Sequence, residues 1–410
     1  MNNTDNRIAI VGGCGHVGLP LGIVLSVFGN AQVTLLDIDA AKVDAINRGE
    51  MPFLEEGAEG PLRGAIGKSL VATTDTSCLS EAGVVITVVG TPVDEHLNPM
   101  VHALYRSVDR TLAAMRSDAL LVLRSTVYPG VTRLVYDRIV STGHNVHLAF
   151  CPERIAEGRA IRELRELPQI VSAFEEEARR RASQLFLRIA PTIIDLDPLE
   201  AELAKLFTNS WRYLNFAVSN QFYMLASSYG LDFQRIHDAV TREYPRMRSF
   251  ARPGFAAGPC LLKDTLQLAA FAGNNFFMGH AAMLINEGLP NFLLNQLRTQ
   301  GLSGKVVAIL GMAFKAESDD SRESLSYKLK KLLSLEAAEV LCSDPYVKDP
   351  NLVSLEDALR RADIVILGVP HKCYEQLQMP ESKTVVDIWG LWRKASQLEP
   401  KAALAAANAS

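Results

Sequence analysis

The feature that most constrains the fold is a glycine-rich turn between a short apolar segment and a helical pattern near the amino terminus. Residues 8–11 have the apolar character of a buried strand, and residues 19–28 have a helical pattern. Gly13, Gly15 and Gly18 lie between them and fit the dinucleotide fingerprint, in which glycines shape the turn, admit a pyrophosphate and pack helix on strand. The turn therefore predicts a strand–turn–helix unit that binds a dinucleotide.

An acidic residue after the next predicted strand supports this interpretation. Gln32–Leu36 is a second apolar run, and Asp37 follows it about twenty residues beyond the fingerprint, where a carboxylate accepts hydrogen bonds from a ribose diol. A glycine-rich turn without a ligand is the alternative. Because the Asp37 carboxylate would repel a 2′-phosphate, the sequence predicts NAD rather than NADP.

The first half of the chain continues as an alternation of strand and helix patterns, which predicts a parallel sheet with helices on both faces. The predicted strands are Gly83–Val89, Ala119–Arg124, Val146–Phe150 and Thr192–Leu196, and the predicted helices are His102–Met115, Val131–Val140 and Glu175–Ile189. Thr91 and Thr126 follow strands at the edge where such sheets bind ligands, although both residues equally suit helix caps or turns. Glu153 and Glu157 lie beside the same expected crevice.

The longest helical pattern starts at Asp197, with aspartate as N-cap and a proline next, and ends before Gly230. A helix of roughly 48 Å is suited to connecting two domains. Glu202, Lys205 and Asn209 recur along it at steps of three and four residues, so they share one face. A solvated polar stripe is the ordinary alternative for such a face.

The remainder of the chain predicts further helices and a second domain. Shorter helices surround residue 260, a long helix covers about residues 276–298, and residues 301–304 form a linker. Strand and helix patterns alternate again from Lys305 to Ile388, which predicts a second, smaller doubly wound domain. Since it lacks a Gly-x-Gly-x-x-Gly of its own, this domain is predicted to bind something other than a dinucleotide.

Composition excludes several functional classes. Lys and Arg total 42 against 46 Asp and Glu, for a net charge of −4, so no basic surface for nucleic acid is expected. No apolar run is long enough to span a bilayer, and the polar amino-terminal residues predict no signal peptide. Six cysteines without paired spacing predict reduced thiols in a cytoplasmic protein, and the lack of Cys-x-x-Cys and His-x-x-x-His argues against a metal site.

A short segment around Cys260 carries the strongest chemical signal. The segment Gly258-Pro-Cys-Leu-Leu-Lys-Asp264 places a thiol, an amine and a carboxylate at a predicted helix start. Lys263 and the positive end of the helix are expected to lower the pKa of the Cys260 thiol and so to produce a nucleophile. The alternative is a buried cysteine that packs as a small hydrophobic residue.

Taken together, these motifs resemble those of the nucleotide-sugar 6-dehydrogenases, the family that includes UDP-glucose, UDP-N-acetylmannosamine and UDP-N-acetylglucosamine dehydrogenases. The likeness covers nearly the whole chain. Besides the fingerprint, it rests on Gly90-Thr-Pro, Ser125-Thr-Val, Pro152-Glu153, the Glu202/Lys205/Asn209 helix, Gly258-Pro-Cys260 with Lys263-Asp264, Gly311-Met-Ala-Phe-Lys315 and Asp320-Ser-Arg322-Glu-Ser324. Two departures are an extra glycine in the turn, one of Gly12 and Gly13, and Ala257 in place of a usual glycine before the cysteine.

The resemblance implies an α/β protein with two doubly wound, Rossmann-like parallel-sheet domains joined by a long central helix and a helical region. It implies an NAD-binding domain at residues 1–196, a central helical, catalytic and dimerisation region at 197–300, and a UDP-sugar-binding domain at 301–410. The implied partners are a UDP-sugar substrate and a second copy of the chain, with the central helix forming the homodimer interface.

The resemblance also implies a reaction, the four-electron oxidation of the C6 alcohol of a UDP-sugar to a uronic acid with NAD. The implied catalytic residues are Cys260 as nucleophile, Lys205 and Asn209 as oxyanion stabilisers, and Glu153, Thr126 and Asp264 for proton transfer and the hydrolytic water. The predicted cofactor-binding residues are Gly13, Gly15, His16, Val17, Gly18, Asp37, Thr91, Thr126 and Arg322. The predicted substrate-binding residues are Glu153, Arg154, Glu157, Lys205, Asn209, Arg246 and Lys315.

Two parts of the sequence differ on the identity of the sugar. Lys263 before Asp264 resembles the glucose enzymes, whereas Arg154 and Arg246 resemble the N-acetylhexosamine enzymes. Because the catalytic turn serves the same chemistry in both types, we predict a UDP-N-acetylhexosamine, either UDP-ManNAc or UDP-GlcNAc, with UDP-glucose as the alternative. A two-electron hydroxyacid dehydrogenase and a non-catalytic NAD-binding regulator are more remote alternatives.

Overall fold

A computed structural model describes residues 3–90, 94, 100–255 and 258–392 of the chain. Packing separates the chain into two units. The first contains Met1–Val218, Ala256–Gly288 and Ser318–Glu323, and the second contains Ser219–Phe255, Leu289–Glu317 and Ser324–Ser410. The three domains with boundaries after residues 196 and 300 remain a prediction.

An eight-stranded sheet forms the centre of the first unit. Its strands are β1 (Arg7–Val11), β2 (Gln32–Leu36), β3 (Leu70–Thr73), β4 (Val84–Thr87), β5 (Ala119–Leu123), β6 (Val146–Phe150), β7 (Gln169–Ala173) and β8 (Ile193–Asp195). They lie in the order β3-β2-β1-β4-β5-β6-β7-β8 and run parallel from β3 to β6. The strand order reverses between β1 and β4, and ligands of such sheets bind at that point beyond the carboxyl ends of the strands.

The far edge of this sheet differs from the all-parallel expectation. β7 pairs antiparallel with β6, and β8 runs parallel to β7, so the last two strands are reversed. Neither β7 nor β3 was predicted from the sequence. Each is a short strand, and the apolar run of β3 covers only four residues, so neither gives a strong periodic signal.

Seven helices of the first unit connect these strands. They are α1 (Gly18–Val27), α2 (Ala40–Asn47), α3 (Glu59–Ala65), α4 (Val101–Ala114), α5 (Val131–Thr142), α6 (Ala160–Glu166) and α7 (Glu176–Phe186), and the short helices α2, α3 and α6 were not predicted. Successive residues of β1 face opposite sides of the sheet, so Ile8 and Leu21 share one core and Ala9 and Val108 the other. Helices therefore cover both faces, as predicted.

The described part of the chain after this sheet continues with helices α8 (Pro198–Ser228), α9 (Phe233–Thr241), α10 (Leu261–Phe271) and α11 (Phe277–Thr299). The predicted long helix is confirmed as α8, which has 31 residues. It ends shortly before Gly230, whose φ of +66° is a left-handed conformation that favours glycine. Short 3₁₀ helices occur at Asn3–Asn6, Thr76–Ser80, Pro245–Met247 and Lys372–Tyr374. Within the described ranges, no helix combines the length and the apolar character needed to cross a membrane.

A second, four-stranded sheet lies in the second unit. Its strands are β9 (Val306–Leu310), β10 (Glu339–Ser343), β11 (Ile364–Leu367) and β12 (Thr384–Val386), with helices α12 (Leu325–Leu333) and α13 (Leu355–Arg361). All neighbouring pairs are parallel in the order β10-β9-β11-β12. The predicted second doubly wound domain is confirmed.

Candidate active site

The glycine turn after β1 is tied to the end of β2. The backbone N–H groups of Gly12 and Gly13 both donate to the Leu36 carbonyl oxygen, at 2.8 and 3.0 Å. Gly12, one of the two residues that could be the extra one of the turn, has a φ of +78°, a conformation that favours glycine. A Cβ on Gly18 would lie 2.7 Å from the Gly13 Cα, whereas a Cβ on Gly15 would meet only the Gly12 carbonyl oxygen at 3.8 Å. The turn thus packs closely on its helix side and leaves open space at Gly15, which fits a pyrophosphate.

Asp37 lies directly after β2 beside this turn. Its Oδ2 accepts a hydrogen bond from the Cys14 backbone N–H at 3.0 Å, and its Oδ1 accepts one from the Asp39 N–H at 3.2 Å. These bonds orient a half-buried carboxylate, whose oxygens each retain capacity for a further hydrogen bond. The arrangement fits the ribose diol of a dinucleotide.

His16 connects the turn to a cluster of charged side chains. Its ring centroid is 4.0 Å from that of Phe53, and its Nδ1 is 2.7 Å from Glu157 Oε1. Asp320 lies close to this pair and binds Arg322, whose Nε is 3.0 and 2.9 Å from the two carboxylate oxygens. Burial acts to raise the pKa of Asp320, but the hydrogen bonds from Arg322 outweigh it and hold that pKa below its usual range. The ligand atoms of His16, Glu157 and Asp320 all lie within 4.8 Å of one another, and the Arg322 guanidinium balances the charge of the Asp320 carboxylate.

A second cluster lies at the start of α10, which Cys260 immediately precedes, as predicted. Asn209 on α8 donates from Nδ2 to Asp264 Oδ2 at 2.6 Å. The Lys263 ammonium is 3.3 Å from Asp264 Oδ1. The ammonium of Lys205 is close enough for Asp264 and Cys260 to influence its pKa. The structure therefore brings together four residues that the sequence placed in a catalytic role.

The polar face of α8 is buried, so the alternative of a solvated stripe is wrong. Glu202, Lys205 and Asn209 are 1%, 9% and 4% exposed. Glu202 nevertheless serves a different purpose, because its carboxylate accepts hydrogen bonds from the N–H groups of Gly130 and Thr132, at 2.6 and 2.8 Å, and from the Thr132 hydroxyl at 2.5 Å. Glu202 thereby binds the amino-terminal end of α5 to α8.

The protonation of Cys260 differs from the expectation. Although the residue is solvent-exposed, protein atoms around the sulfur desolvate the thiolate and raise the pKa of Cys260, and the Asp264 carboxylate raises it further. Lys263 and Lys205 lower the pKa, as predicted for Lys263, but they do not outweigh those effects. The predicted net lowering is therefore wrong. Burial lowers the pKa of Lys205, although Asp264, Glu153 and Cys260 oppose this effect.

Glu153 is held by donors on both carboxylate oxygens. Its Oε2 pairs with the Arg124 guanidinium, and its Oε1 accepts hydrogen bonds from the backbone N–H groups of Arg154 and Ile155 at 2.5 and 2.6 Å. The carboxylate also acts on the pKa of Lys205. Glu153 thus belongs to the surroundings of the second cluster, and its predicted catalytic role stays a prediction.

The remaining predicted residues of the first unit have varied positions. Thr126 is half-buried in the loop after β5, and Val17 is the N-cap residue of α1. The Arg154 guanidinium donates to the Pro168 carbonyl oxygen, and burial lowers the pKa of Arg154. Thr91 lies outside the described residues, as does Ala257.

Two predicted substrate residues belong to the second unit. Arg246 is exposed, and its Nη1 donates to the Tyr244 hydroxyl at 3.2 Å. Lys315 is half-buried in the loop after β9, with its Nζ 5.7 Å from the ring centroid of Phe314. Their predicted contacts with substrate stay predictions.

Family models account for most of the chain. Residues 6–190 match the NAD binding domain of the UDP-glucose/GDP-mannose dehydrogenase family, residues 199–287 match its central domain, and residues 308–394 match its UDP binding domain. This chain belongs to the UDP-glucose/GDP-mannose dehydrogenase family. It is an NAD-dependent oxidoreductase, and the resemblance stated from the sequence motifs is confirmed.

Individual relatives of this dehydrogenase match along nearly their full length. The UDP-N-acetyl-D-mannosamine dehydrogenase of Pyrococcus horikoshii is 30% identical over 92% of this chain and 91% of its own length. The NDP-N-acetyl-D-galactosaminuronic acid dehydrogenase of Ralstonia nicotianae is 28% identical over 95% of this chain and 97% of its own. A solved structure of UDP-D-ManNAc dehydrogenase from Pyrococcus horikoshii superimposes with a TM-score of 0.83, covering 91% of each chain at 28% identity.

Two buried charged residues of this dehydrogenase, Arg124 and Glu202, were not predicted to be buried. Arg124 was noted only as a residue at a strand end, and Glu202 only as a member of the polar face. A signal for Arg124 does exist, because an arginine that directly follows an apolar strand such as Ala119–Leu123 is buried and needs an acidic partner. Nothing in the local pattern identifies that partner as Glu153.

Proposed function

We propose that this dehydrogenase oxidises the C6 alcohol of a UDP-N-acetylhexosamine to the uronic acid through a covalent intermediate on Cys260. The proposal rests on one observation. The side chains of Lys205, Asn209 and Asp264 lie close together at the start of α10, directly after Cys260. The glycine turn and Asp37 would hold NAD, which would supply the hydride acceptor for the two oxidation steps. The residues of the chain supply the remaining chemistry.

Cys260 traps the aldehyde so that it does not escape between the two oxidations. Its thiol first loses a proton, and Lys205 is suited to accept it because burial lowers the pKa of this lysine. The thiolate adds to the aldehyde carbon to give a thiohemiacetal, and loss of hydride converts this adduct into a thioester. The protonated Lys205 and the second N–H of the Asn209 amide then stabilise the negative charge that develops on oxygen.

Hydrolysis of the thioester completes the reaction. Water attacks the carbonyl carbon, the carbon–sulfur bond breaks, and the Cys260 sulfur regains a proton that water supplies. We assign the orientation of this water to Glu153, with Asp264 and Thr126 assisting. This assignment is supported by the fixed Glu153 carboxylate, which lies close enough to Lys205 to influence its pKa.

The covalent mechanism is tested by Cys260→Ser, with Cys373→Ser as a matched control because Cys373 is an exposed cysteine of the second unit. We expect wild-type enzyme and control to form two NADH per uronate. The Cys260→Ser variant should stop before release of uronate, because a hydroxyl is a poorer nucleophile and its ester a poorer acyl donor. Release of free uronate by this variant at near the wild-type rate would contradict the mechanism.

The two polar residues of α8 provide a second test. Lys205→Ala and Asn209→Ala should lower kcat more than they raise KM, because the charge that these side chains meet appears only in the transition states. Steady-state kinetics with varied sugar nucleotide measures both parameters. An effect confined to KM would mean that these two side chains bind the substrate and do not stabilise the transition states.

The sugar is the least constrained part of the proposal. Relatives named UDP-N-acetyl-D-mannosamine dehydrogenase support an N-acetylhexosamine, and so does the exposed guanidinium of Arg246. Arg154 supports it less, because its guanidinium is bound to the Pro168 carbonyl. NADH formation should show higher kcat/KM for UDP-ManNAc or UDP-GlcNAc than for UDP-glucose. A preference for UDP-glucose of about tenfold, or about 1.4 kcal/mol, would decide for the alternative.

We also propose that the enzyme is a cytoplasmic homodimer that pairs through α8. All six cysteines are free thiols, as expected in a reducing compartment. Large apolar side chains recur on α8 at a nearly helical period and are 46–61% exposed: Phe207, Trp211, Val218, Phe222 and Leu225. Such a stripe is characteristic of a helix that packs against a partner. Sedimentation should show a dimer for the wild type and a monomer for Trp211→Asp, and a monomeric wild type would refute the pairing.

A further inference from the structure

A fully buried arginine, Arg124, binds the carboxylate of Glu153, the residue to which we assign the orientation of the hydrolytic water. Arg124 follows β5 and is 0% exposed. Its Nη2 donates to Glu153 Oε2, and its Nη1 donates to the Cys151 carbonyl oxygen at 3.2 Å and to Gln169 Oε1 at 3.0 Å. The Phe186 ring lies against the guanidinium, with its centroid 4.9 Å from Cζ. The guanidinium is therefore enclosed by acceptors on one side and by an aromatic ring.

The backbone of Arg124 is also hydrogen-bonded to Glu153. The Glu153 N–H donates to the Arg124 carbonyl oxygen at 3.2 Å, and the Arg124 N–H donates to the Thr87 carbonyl oxygen at 3.0 Å. Since the second oxygen of Glu153 accepts from the N–H groups of Arg154 and Ile155, each carboxylate oxygen has its own donors. The side chain of Glu153 is consequently limited to one orientation.

We propose that Arg124 is a positioning residue, which holds the Glu153 carboxylate in the orientation required for thioester hydrolysis. This inference rests on the proposed function of Glu153. A buried guanidinium pairs with a carboxylate in a fixed planar geometry, and its several N–H groups reach three acceptors at once. A lysine in the same place has the charge but lacks the planar fork, so the orientation of Glu153 would be lost.

The role predicts a specific defect in Arg124→Lys. Both hydride transfers precede hydrolysis, so the variant should form a rapid burst of NADH and then turn over about tenfold or more slowly, as expected when a reacting group is misplaced. The acylated enzyme should accumulate, and mass spectrometry of the denatured protein would detect the sugar on the peptide that contains Cys260. Glu153→Gln should show the same accumulation, and the double variant should be no slower than the slower single variant.

Arg181→Lys is a matched control from the same unit. Arg181 is also buried and forms an ion pair with Asp5. Unlike Arg124, it binds the carbonyl oxygens of Gly83 and Asp118, which precede the amino-terminal ends of strands β4 and β5. This variant should lose stability without accumulating acylated enzyme. Accumulation in both lysine variants would mean that reduced stability, not positioning, causes the defect.

The remaining outcomes separate the inference from the function on which it rests. If Glu153→Gln accumulates acylated enzyme and folded Arg124→Lys does not, Arg124 has no positioning role although Glu153 keeps its function. If Glu153→Gln hydrolyses the thioester at the wild-type rate, both ideas are overturned. If Arg124→Lys does not fold, Gln169→Leu removes one acceptor of the guanidinium, and it should accumulate acylated enzyme to a smaller extent. Wild-type hydrolysis by that folded variant would then overturn the inference.

Discussion

The two doubly wound domains place an aspartate at the same point of their sheets and use it differently. Asp37 directly follows β2, and Asp344 directly follows β10. Both carboxylates accept hydrogen bonds from the loop after the first strand of their own sheet. Asp37 binds the Cys14 N–H at 3.0 Å, and Asp344 binds the N–H groups of Met312 and Ala313 at 2.6 and 3.0 Å. The topology thus provides the same arrangement twice.

The difference lies in what else contacts each carboxylate. Asp344 also accepts hydrogen bonds from the N–H groups of Tyr346 and Val347, at 2.8 and 2.9 Å, and it lies 3.1 Å from His371 Nε2. The His371 ring is fully buried, and its Nδ1 accepts from the Glu317 N–H, so Nε2 carries the proton that faces Asp344. Burial would raise the pKa of Asp344, but these hydrogen bonds outweigh it and lower the pKa to about 2. Asp344 therefore stabilises the loops of its own domain, whereas half-buried Asp37 keeps the capacity to accept hydrogen bonds from a ligand.

The largest difference between the domains is expected from one glycine substitution in the loop after the first strand of each sheet. Gly311→Ala should lower the free energy of unfolding by roughly 3 kcal/mol or more, because the residue has a φ of +95° and a Cβ would lie 2.6 Å from Val369 backbone and side-chain atoms. Gly15→Ala should change that free energy by about 1 kcal/mol or less and instead weaken NAD binding, since its Cβ meets no protein atom closer than 3.8 Å. Urea unfolding and NAD titration measure both effects. Equal loss of stability in the two variants would break the comparison.

The aspartates themselves give the next largest effect. Asp344→Asn should lower the free energy of unfolding by roughly 2 kcal/mol or more, because the amide cannot accept all of the hydrogen bonds that now converge on the carboxylate. Asp37→Asn should cost roughly 1 kcal/mol or less, since only two N–H donors are affected. Denaturant titration of the two variants, with half-buried Asp39→Asn as a control, checks the order. A greater loss of unfolding free energy in Asp37→Asn than in Asp344→Asn would contradict this prediction.

Lowering the pH should remove the stabilisation that the ionised Asp344 carboxylate provides. The folded pKa of Asp344, about 2, lies below the ordinary value near 3.9, so the ionised carboxylate stabilises the fold above about pH 4. This contribution, roughly 2–3 kcal/mol, is lost as the pH falls from about 4 to about 2. The stability difference between wild type and Asp344→Asn should shrink over that window, as followed by unfolding at a series of pH values. A difference independent of pH would show that ionisation of Asp344 is not the cause.

The smallest expected effect concerns cofactor choice. Asp37→Ser should raise the ratio of kcat/KM for NADP over NAD by about tenfold, or about 1.4 kcal/mol, because it removes the charge that would repel a 2′-phosphate. Asp344→Asn, measured on the folded fraction, should leave the ratio unchanged. Wild-type enzyme that used NAD and NADP with comparable kcat/KM would show that Asp37 does not select the cofactor.

Features that depend only on neighbouring residues could be predicted from the sequence. The glycine turn, the aspartate after β2, the ends of α8 and the place of Cys260 before α10 follow from periodicity, capping and backbone conformation, which act over a few residues. The short helices α2, α3 and α6 bury few side chains and so leave a weak periodic signal. The motifs in their order were also enough to identify the family.

Only the tertiary structure decided which charges meet and how strongly they are desolvated. Arg124 and Glu153 are 29 residues apart, and Glu202 is 72 residues from Gly130, so no local pattern pairs them. The pKa of Cys260 shows the same limit, because Lys263 and Asp264 were both visible in the sequence but the burial that has the largest effect on this pKa was not. Asp37 and Asp344 show it again, since each follows a parallel strand and only the long-range partner His371 converts one of them into internal support. Burial and ion pairing arise where distant segments pack together, and that packing is a property of the fold.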